Sequence, residues 1–420
     1  MSELGWIDAA LTSARPQALA ALLRYFGDLD TAEEAFQEAC LRALRNWPEK
    51  GPPRDPAAWL IFVGRNFGVD QIRKTSRQAP LPDEEQLSDL GDQESDIAER
   101  LDNAHYRDDV LRLLFICCHP DLPATQQIAL ALRIVSGLSV KEIARAFLVS
   151  EAAMEQRITR AKRAISGASR EFEPPDAVER SERLGIVAAM LYLLFNEGYS
   201  ASGGTTHLRG QLCLEAIRLT RLLLRLFPAE PEIMGLLALM LLQHSRMAAR
   251  LDGNGELILL EDQDRGLWNR ELINEGLVLI EKAVRHARPG VYQIQAAIAT
   301  AHARAPSPDD TNWAEIDRLY GLLEVIQPSP VVTLNRSVAV SKTKGPAAAL
   351  AMIEPLAKPL DSYFHFHGVR GAYLLQTGDE CAARQSFDRA IALARTPAEA
   401  AHIRQHIDRL KNLAKSEKRS

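Results

Sequence analysis

The sequence predicts an all-α protein: two small helical domains, the second a helix-turn-helix, joined by an acidic linker and followed by a helical-repeat domain. Three observations carry this expectation. Apolar residues recur at helical spacing along most of the chain, and no stretch sustains the alternation of a half-buried strand. One segment, residues 78–102, abandons that spacing for acid, proline, serine and glycine, a composition too poor in large apolar groups to fold by itself. The length of 420 residues exceeds what one hydrophobic core usually organises. The expected divisions are 1–77, 78–102, 103–173 and 176–420.

Composition narrows the class. Hydrophobic residues at 46%, charged residues at 25% and a net charge of -5 describe a soluble globular protein. A weakly acidic chain binds nucleic acid only through local basic faces, because its overall field slightly repels phosphate. The cysteines, Cys40, Cys117, Cys118, Cys213 and Cys381, contain no pair of C-x-x-C motifs, so neither a disulfide framework nor a zinc ribbon is expected. Cys117-Cys118-His119 resembles a metal cluster, but adjacent helical residues point about 100° apart and no second ligand set is visible, so core packing is expected. No metal or cofactor is expected. The beginning of the chain lacks a basic start followed by an apolar run, and nowhere do 18 apolar residues occur in succession, which points to a cytoplasmic protein.

The first helix is expected to start at Pro16, with Leu19, Leu22, Leu23 and Phe26 as its stripe and Gly27 closing it. Thr31 and Glu34 are spaced as a capping box for a second helix, whose Phe36, Cys40, Ala43, Leu44 and Trp47 share one face. Its other face carries Glu34, Gln37, Glu38 and Leu41. Four prolines and a glycine within residues 46–56 predict an irregular loop. The helix that follows, PAAWLIFVGRNFGVDQIRKTSR, buries Trp59, Leu60, Val63 and Phe67 and keeps Asn66, Asp70, Arg73, Lys74 and Arg77 on a face that grows basic toward its end.

Beyond the linker, residues 139–165 form the strongest local signal. Ser139 and Glu142 cap a short helix that packs through Ile143, Ala144 and Phe147. Ser150 then caps a longer one with Met154, Ile158, Ala161 and Ile165 as its buried stripe. The outward face presents Glu151, Ala152, Glu155, Gln156, Thr159, Arg160 and Arg163, flanked by Arg157 and Lys162. A recognition helix sets such residues against base edges and phosphates in the major groove. On that geometry Glu155, Gln156 and Thr159 discriminate bases, and Arg157, Arg160, Lys162 and Arg163 hold phosphates or read guanine.

TAEEAFQEACLRALRNW, PAAWLIFVGRNFGVDQIRKTSR and GLSVKEIARAFLVSEAAMEQRITRAK, in that order, resemble the sigma-70 family of RNA polymerase sigma factors, specifically its extracytoplasmic-function type. The resemblance covers about the first 170 residues. It implies that Glu34, Gln37, Glu38 and Leu41 dock on core RNA polymerase. It implies that the proline-rich loop, with Asn66, Asp70, Arg73, Lys74 and Arg77, captures the melted -10 strand, and that the helix-turn-helix reads the -35 element of promoter DNA. Trp59 is expected in the core, not as a stacking platform. The acidic linker either threads the enzyme near its nucleic-acid path or is a solubilising tether. The sequence departs from the family pattern at Leu148, where a small residue is usual, and at acidic Glu151 and Glu155.

Residues 362–395 read as one helical hairpin similar to a tetratricopeptide repeat, with Gly371, Ala372, Leu375, Gly378, Ala382, Phe387, Ala390 and Leu393 at its packing positions. LYLLFNEGYSASGG, LEDQDR and VYQIQAAIATAHA resemble the C-terminal extension of one subgroup of these sigma factors. Asn196, Glu197, Tyr199, His207, Glu261, Asp262 and Asp264 either hold loops against helices or line a pocket for a ligand or partner. No nucleophile pairing or metal spacing supports an enzyme. The expected protein is a promoter-specificity subunit whose C-terminal domain modulates it.

Overall fold

The computed structural model describes residues 5–51, 53–75, 103–119, 121–147, 149–165, 177–199, 206–252, 258–394 and 404. The expected linker at 78–102 lies outside them. Among the described residues the regular elements are helices, with no strand, so the fold is all-α as the spacing predicts. The chain divides into two units, Met1–Leu194 and Phe195–Ser420.

Unit 1 begins with α1 (Gly5–Phe26), α2 (Leu29–Lys50) and α3 (Pro56–Thr75), each packed on the other two. Leu19, Leu22, Leu23, Phe36 and Leu60 are all at most 2% exposed and form their shared core. Gly64 marks the closest crossing, since a Cβ there would meet Leu22 Cδ1 at 3.0 Å and the Ala35 carbonyl oxygen at 3.1 Å.

Four local expectations are corrected. Pro16 lies inside α1, eleven residues after its start at Gly5. Buried Ile7 and the stack of Trp6 on Trp47, 6.2 Å between centroids, anchor the turns before it. Asp28, not Thr31, caps α2: its Oδ2 accepts from the Thr31 backbone N–H at 2.8 Å. Residues 46–50 are helical, because α2 runs through Pro48 to a cap at Gly51 with φ 78°. Trp47, packed edge-on to Trp59 at 5.4 Å, fixes this last turn by burial, which outweighs the one backbone bond that proline removes. The described loop residues before α3 are therefore only 51 and 53–55. Leu44 is also 48% exposed and does not line the buried face.

The rest of unit 1 comprises α4 (Asn103–Cys117), α5 (Ala124–Ile134), α6 (Val140–Ala146) and α7 (Glu151–Ile165), then most of α8 (Ala177–Tyr199). Cys117 and Cys118 are fully buried, and burial pushes both thiols up, so they serve as core.

Unit 2 takes the end of α8, then α9 (Thr206–Leu226), α10 (Pro231–His244), α11 (Arg270–Val284), α12 (Val291–Arg304), α13 (Trp313–Ile326), α14 (Pro330–Lys344), α15 (Pro346–Ile353), α16 (Phe364–Gln376) and α17 (Glu380–Leu393). From α9 onward each helix packs on the next, and α10 packs on both α11 and α12. This is the pattern of stacked hairpins whose core continues from one to the next. In the last hairpin, a Cβ on Gly371 would meet the Phe387 ring at 2.8 Å, so a small residue is required where the two helices touch.

Candidate nucleic-acid and polymerase interfaces

The helix-turn-helix is built as its spacing requires. The Glu142 carboxylate accepts from the Ser139 backbone N–H at 2.8 Å, and the Ser139 hydroxyl accepts from the Glu142 N–H at 3.2 Å. The Ser139 hydroxyl, donating to the Glu142 carboxylate at 2.7 Å, and the Ser139 N–H hold that carboxyl below its ordinary value. The Ala153 N–H bonds the Ser150 hydroxyl at 3.3 Å, which starts α7. Met154, Ile158, Ala161 and Ile165 are buried. Glu151, Ala152, Glu155, Gln156, Thr159, Arg160 and Arg163 are exposed, and Arg157 is half-buried. The exposed residues therefore form one surface along α7. Leu148 lies outside the described residues.

Lys162 does not share that surface. Its ammonium bonds Asp30 Oδ1 at 2.9 Å and also the Glu33 carboxylate, both on α2. Burial works against its charge, but the two carboxylates outweigh that cost and hold it above its ordinary value. Arg15 of α1 reaches the same half, donating to the Ile134 carbonyl at 2.8 Å and the Arg133 carbonyl at 3.3 Å. Its guanidinium also lies 3.8 Å from Glu33. Gly137, φ 75°, lets this side chain in: a Cβ there would come 3.0 Å from Arg15 Cδ. Arg24 pairs with Asp109 of α4 at 2.9 Å. The sequence offers one signal for this docking, an acidic pair at the start of α2, and nothing that names its partner.

On α2, Glu34 and Gln37 are exposed and Leu41 is 50% exposed, while Glu38 is held by Arg42 at 3.1 Å. With Leu44 they form an exposed strip of mixed acid, amide and apolar character, suited to a helix-on-helix contact. On α3, Asn66 is exposed and Trp59 is 9% exposed, in the core. Asp70, Arg73 and Lys74 lie on α3 with side chains outside the described residues, and Arg77 lies outside them altogether. One group here escapes the sequence pattern: Tyr25, 47% exposed, with the Arg65 guanidinium 4.3 Å from its ring centroid. Its place off the Leu19, Leu22, Leu23 stripe is the signal that marks it.

Asp264 Oδ1 accepts from the Gly266 N–H at 2.8 Å, starting a turn of 3-10 helix, and Glu261 pairs with Lys342 at 3.4 Å. Tyr199 is instead met by arginines: Arg246 donates to its hydroxyl at 3.0 Å and Arg250 to its carbonyl at 2.6 Å. Asn196 and Glu197 are half-buried near the end of α8, and the side chain of His207 lies outside the described residues. Among the described residues no group of His, Cys, Asp and Glu is placed to hold a metal, and no helix is long and apolar enough to cross a membrane.

Comparison with known proteins places these surfaces in a family. Sigma-70 region 2 matches residues 11–78, Sigma-70 region 4 matches residues 112–165, and a family of unknown function (DUF6596) matches residues 183–284. An uncharacterized protein of Rhizobium meliloti (strain 1021) is 68% identical over 410 residues, 98% of this chain and 97% of the relative. The ECF RNA polymerase sigma factor BldN of Streptomyces coelicolor is 33% identical over 147 residues, which cover 33% of this chain and 51% of BldN. The ECF RNA polymerase sigma factor EcfG of Rhodopseudomonas palustris is 27% identical over 173 residues, 40% of this chain and 90% of EcfG. With both sigma regions matched in order and the helix-turn-helix formed within the second, the chain belongs to the extracytoplasmic-function group of sigma-70 factors, which direct promoter-specific transcription initiation.

Proposed function

We propose that this sigma factor contacts core RNA polymerase through Glu34, Gln37, Glu38 and Leu41 of α2. Asn66, Asp70, Arg73, Lys74 and Arg77 then hold the melted -10 strand. Glu155, Gln156, Arg157, Thr159, Arg160 and Arg163 of α7 read the -35 element, and Lys162 joins them once it leaves α2. The observation that carries this reading is the exposed face of α7, set over a buried stripe by two capped helix starts. Such a face offers carboxylate, amide and guanidinium groups to base edges and phosphates together. Tyr25 beside Arg65 supplies an exposed aromatic and a cation, the pairing that stacks and tracks a single strand.

The docked arrangement is the resting state in this reading. Promoter elements centred near -10 and -35 lie roughly 25 base pairs apart, about 85 Å of B-DNA. The Lys162–Asp30 contact at 2.9 Å is incompatible with the two regions sitting on those elements at once. Polymerase and promoter therefore have to separate α7 from α2. The C-terminal domain modulates this activity.

Reconstituted transcription tests the reading. Core polymerase with the full chain is expected to initiate from promoters upstream of the chain's own gene and its neighbours. Failure on every genomic fragment would sink it. A chain ending after residue 175 asks whether unit 2 is required or only regulatory.

A further inference from the structure

Unit 2 gathers guanidinium groups around one buried indole. Trp268 is 3% exposed, and the guanidiniums of Arg246 and Arg265 lie over its ring, 5.9 and 5.0 Å from the centroid. Arg250 lies 3.7 Å from the Tyr199 ring, whose hydroxyl takes a hydrogen bond from Arg246. Arg246 is the centre of the group, since its charge is felt by Arg250, by Arg265 and by His302.

The partners of these three arginines are a phenol, a thioether, three carbonyls and a threonine hydroxyl. Among the described residues none of the three is in an ion pair. Asp310 favours the charge of Arg265 without bonding it. Cations crowded together in a partly buried place repel one another and lose hydration, so a cluster with no bonded counter-charge is costly.

The cluster also has donors to spare. Both ends of the Arg265 guanidinium are occupied by the carbonyls of His302 and Ala305 and by the Thr311 hydroxyl. Its Nε–H, on a residue 7% exposed, has no partner, and neither has the Trp268 Nε1–H. Two buried donors, one on Arg265 and one on Trp268, lie beside Arg246 without a hydrogen-bond partner.

We propose that Arg246, Arg265 and Trp268, backed by Arg250, bind the oxyanion group of a small molecule, a phosphate or a carboxylate. The planar fork of arginine matches either group, and the indole N–H adds a directed donor. Two of the acidic residues in this stretch are engaged elsewhere, Asp264 in a turn and Glu261 with Lys342. This proposal gives a chemistry to the ligand through which unit 2 would modulate transcription. It rests on that reading only for the consequence, because binding is measured directly.

The test is calorimetric titration of the full chain with inorganic phosphate and, separately, succinate, at constant ionic strength set by chloride. Saturable binding of one equivalent is expected, weakened at least tenfold by Arg246→Gln and severalfold by Trp268→Phe, which keeps the ring and removes the donor. Arg304→Gln, at an exposed pair with Glu281, should bind as the parent does. Saturation by phosphate alone identifies a phosphate ester as the ligand class, and by succinate alone a carboxylate. A second readout is the His302 imidazole, held down at about 4 by burial and by Arg246 and Arg265. Its titration followed by NMR should move upward when the anion fills the site. Binding by neither probe, or equal binding by the parent, Trp268→Phe and Arg246→Gln, overturns the proposal. Either result leaves promoter recognition by unit 1 standing.

Discussion

Glu33 organises more of unit 1 than an acidic residue in a helix ordinarily does. It is 5% exposed and lies against both Arg15 and Lys162. Removing one partner of a buried pair leaves the other charge uncompensated, so Glu33 is a poor position for neutral substitution. Arg160, exposed on α7 with no role inside the unit, is the cleaner probe of promoter reading. Arg160→Ala is expected to weaken binding to a -35 duplex by roughly 1 to 3 kcal/mol with the fold intact, measured by fluorescence anisotropy. Unchanged binding would remove Arg160 from the interface. His302 makes a second prediction. Burial first, then Arg246 and Arg265, lower its pKa from 6.5 to about 4. The unfolded chain takes up that proton near 6.5 and the folded chain does not, so stability is complete above 6.5 and lost as pH falls toward 4. The loss reaches up to about 3 kcal/mol. Urea denaturation across that window should show a flatter pH dependence for His302→Gln than for the parent.

At the scale of elements, close approach decides more than propensity. A Cβ on Gly235 of α10 would stand 2.6 Å from the Gln293 backbone nitrogen of α12. Gly235→Ala is therefore expected to push the two helices apart and destabilise unit 2 by about 1 to 3 kcal/mol. Gly185 on α8 meets nothing within 4 Å, and Gly185→Ala should be neutral or stabilising by up to about 1 kcal/mol. Equal denaturation midpoints for the two variants would refute the crossing as the cause. The same logic explains the prolines. Pro16 reads as a helix start and Pro48 as part of a loop, yet both lie within helices, because the contacts of Ile7, Trp6 and Trp47 outweigh the single backbone bond that each proline removes. The capping box at Ser139 and Glu142 formed as spaced, since all its atoms lie within one turn and need no distant partner.

For the whole molecule, the two sigma regions are joined by packing of α1 on α4 and by charged contacts, and the charged contacts weaken as salt screens them. Lys162→Glu reverses the one that binds α7 to α2. Labels attached at exposed Arg45 and Ala164, with exposed Cys381 replaced by Ser, report the separation of the two helices. A short separation is expected in the free chain, and a longer one in Lys162→Glu and in the complex with polymerase and promoter. An identical separation in all three would rule out a docked resting state.

The sequence by itself determined the helical class, the order of the sigma motifs, the caps of the helix-turn-helix and the two faces of α7, because each depends on residues within one or two turns of one another. Only the tertiary structure decided that Lys162 leaves the reading face for Asp30 and Glu33, and that Leu44 is exposed while Trp47 is buried. It likewise decided that Arg246 and Arg265 lie over the ring of Trp268. Those outcomes depend on side chains brought together from distant segments, Lys162 from 132 residues beyond Asp30 and Arg265 from 37 before His302. Spacing within a helix carries no information about which distant helix will lie against it.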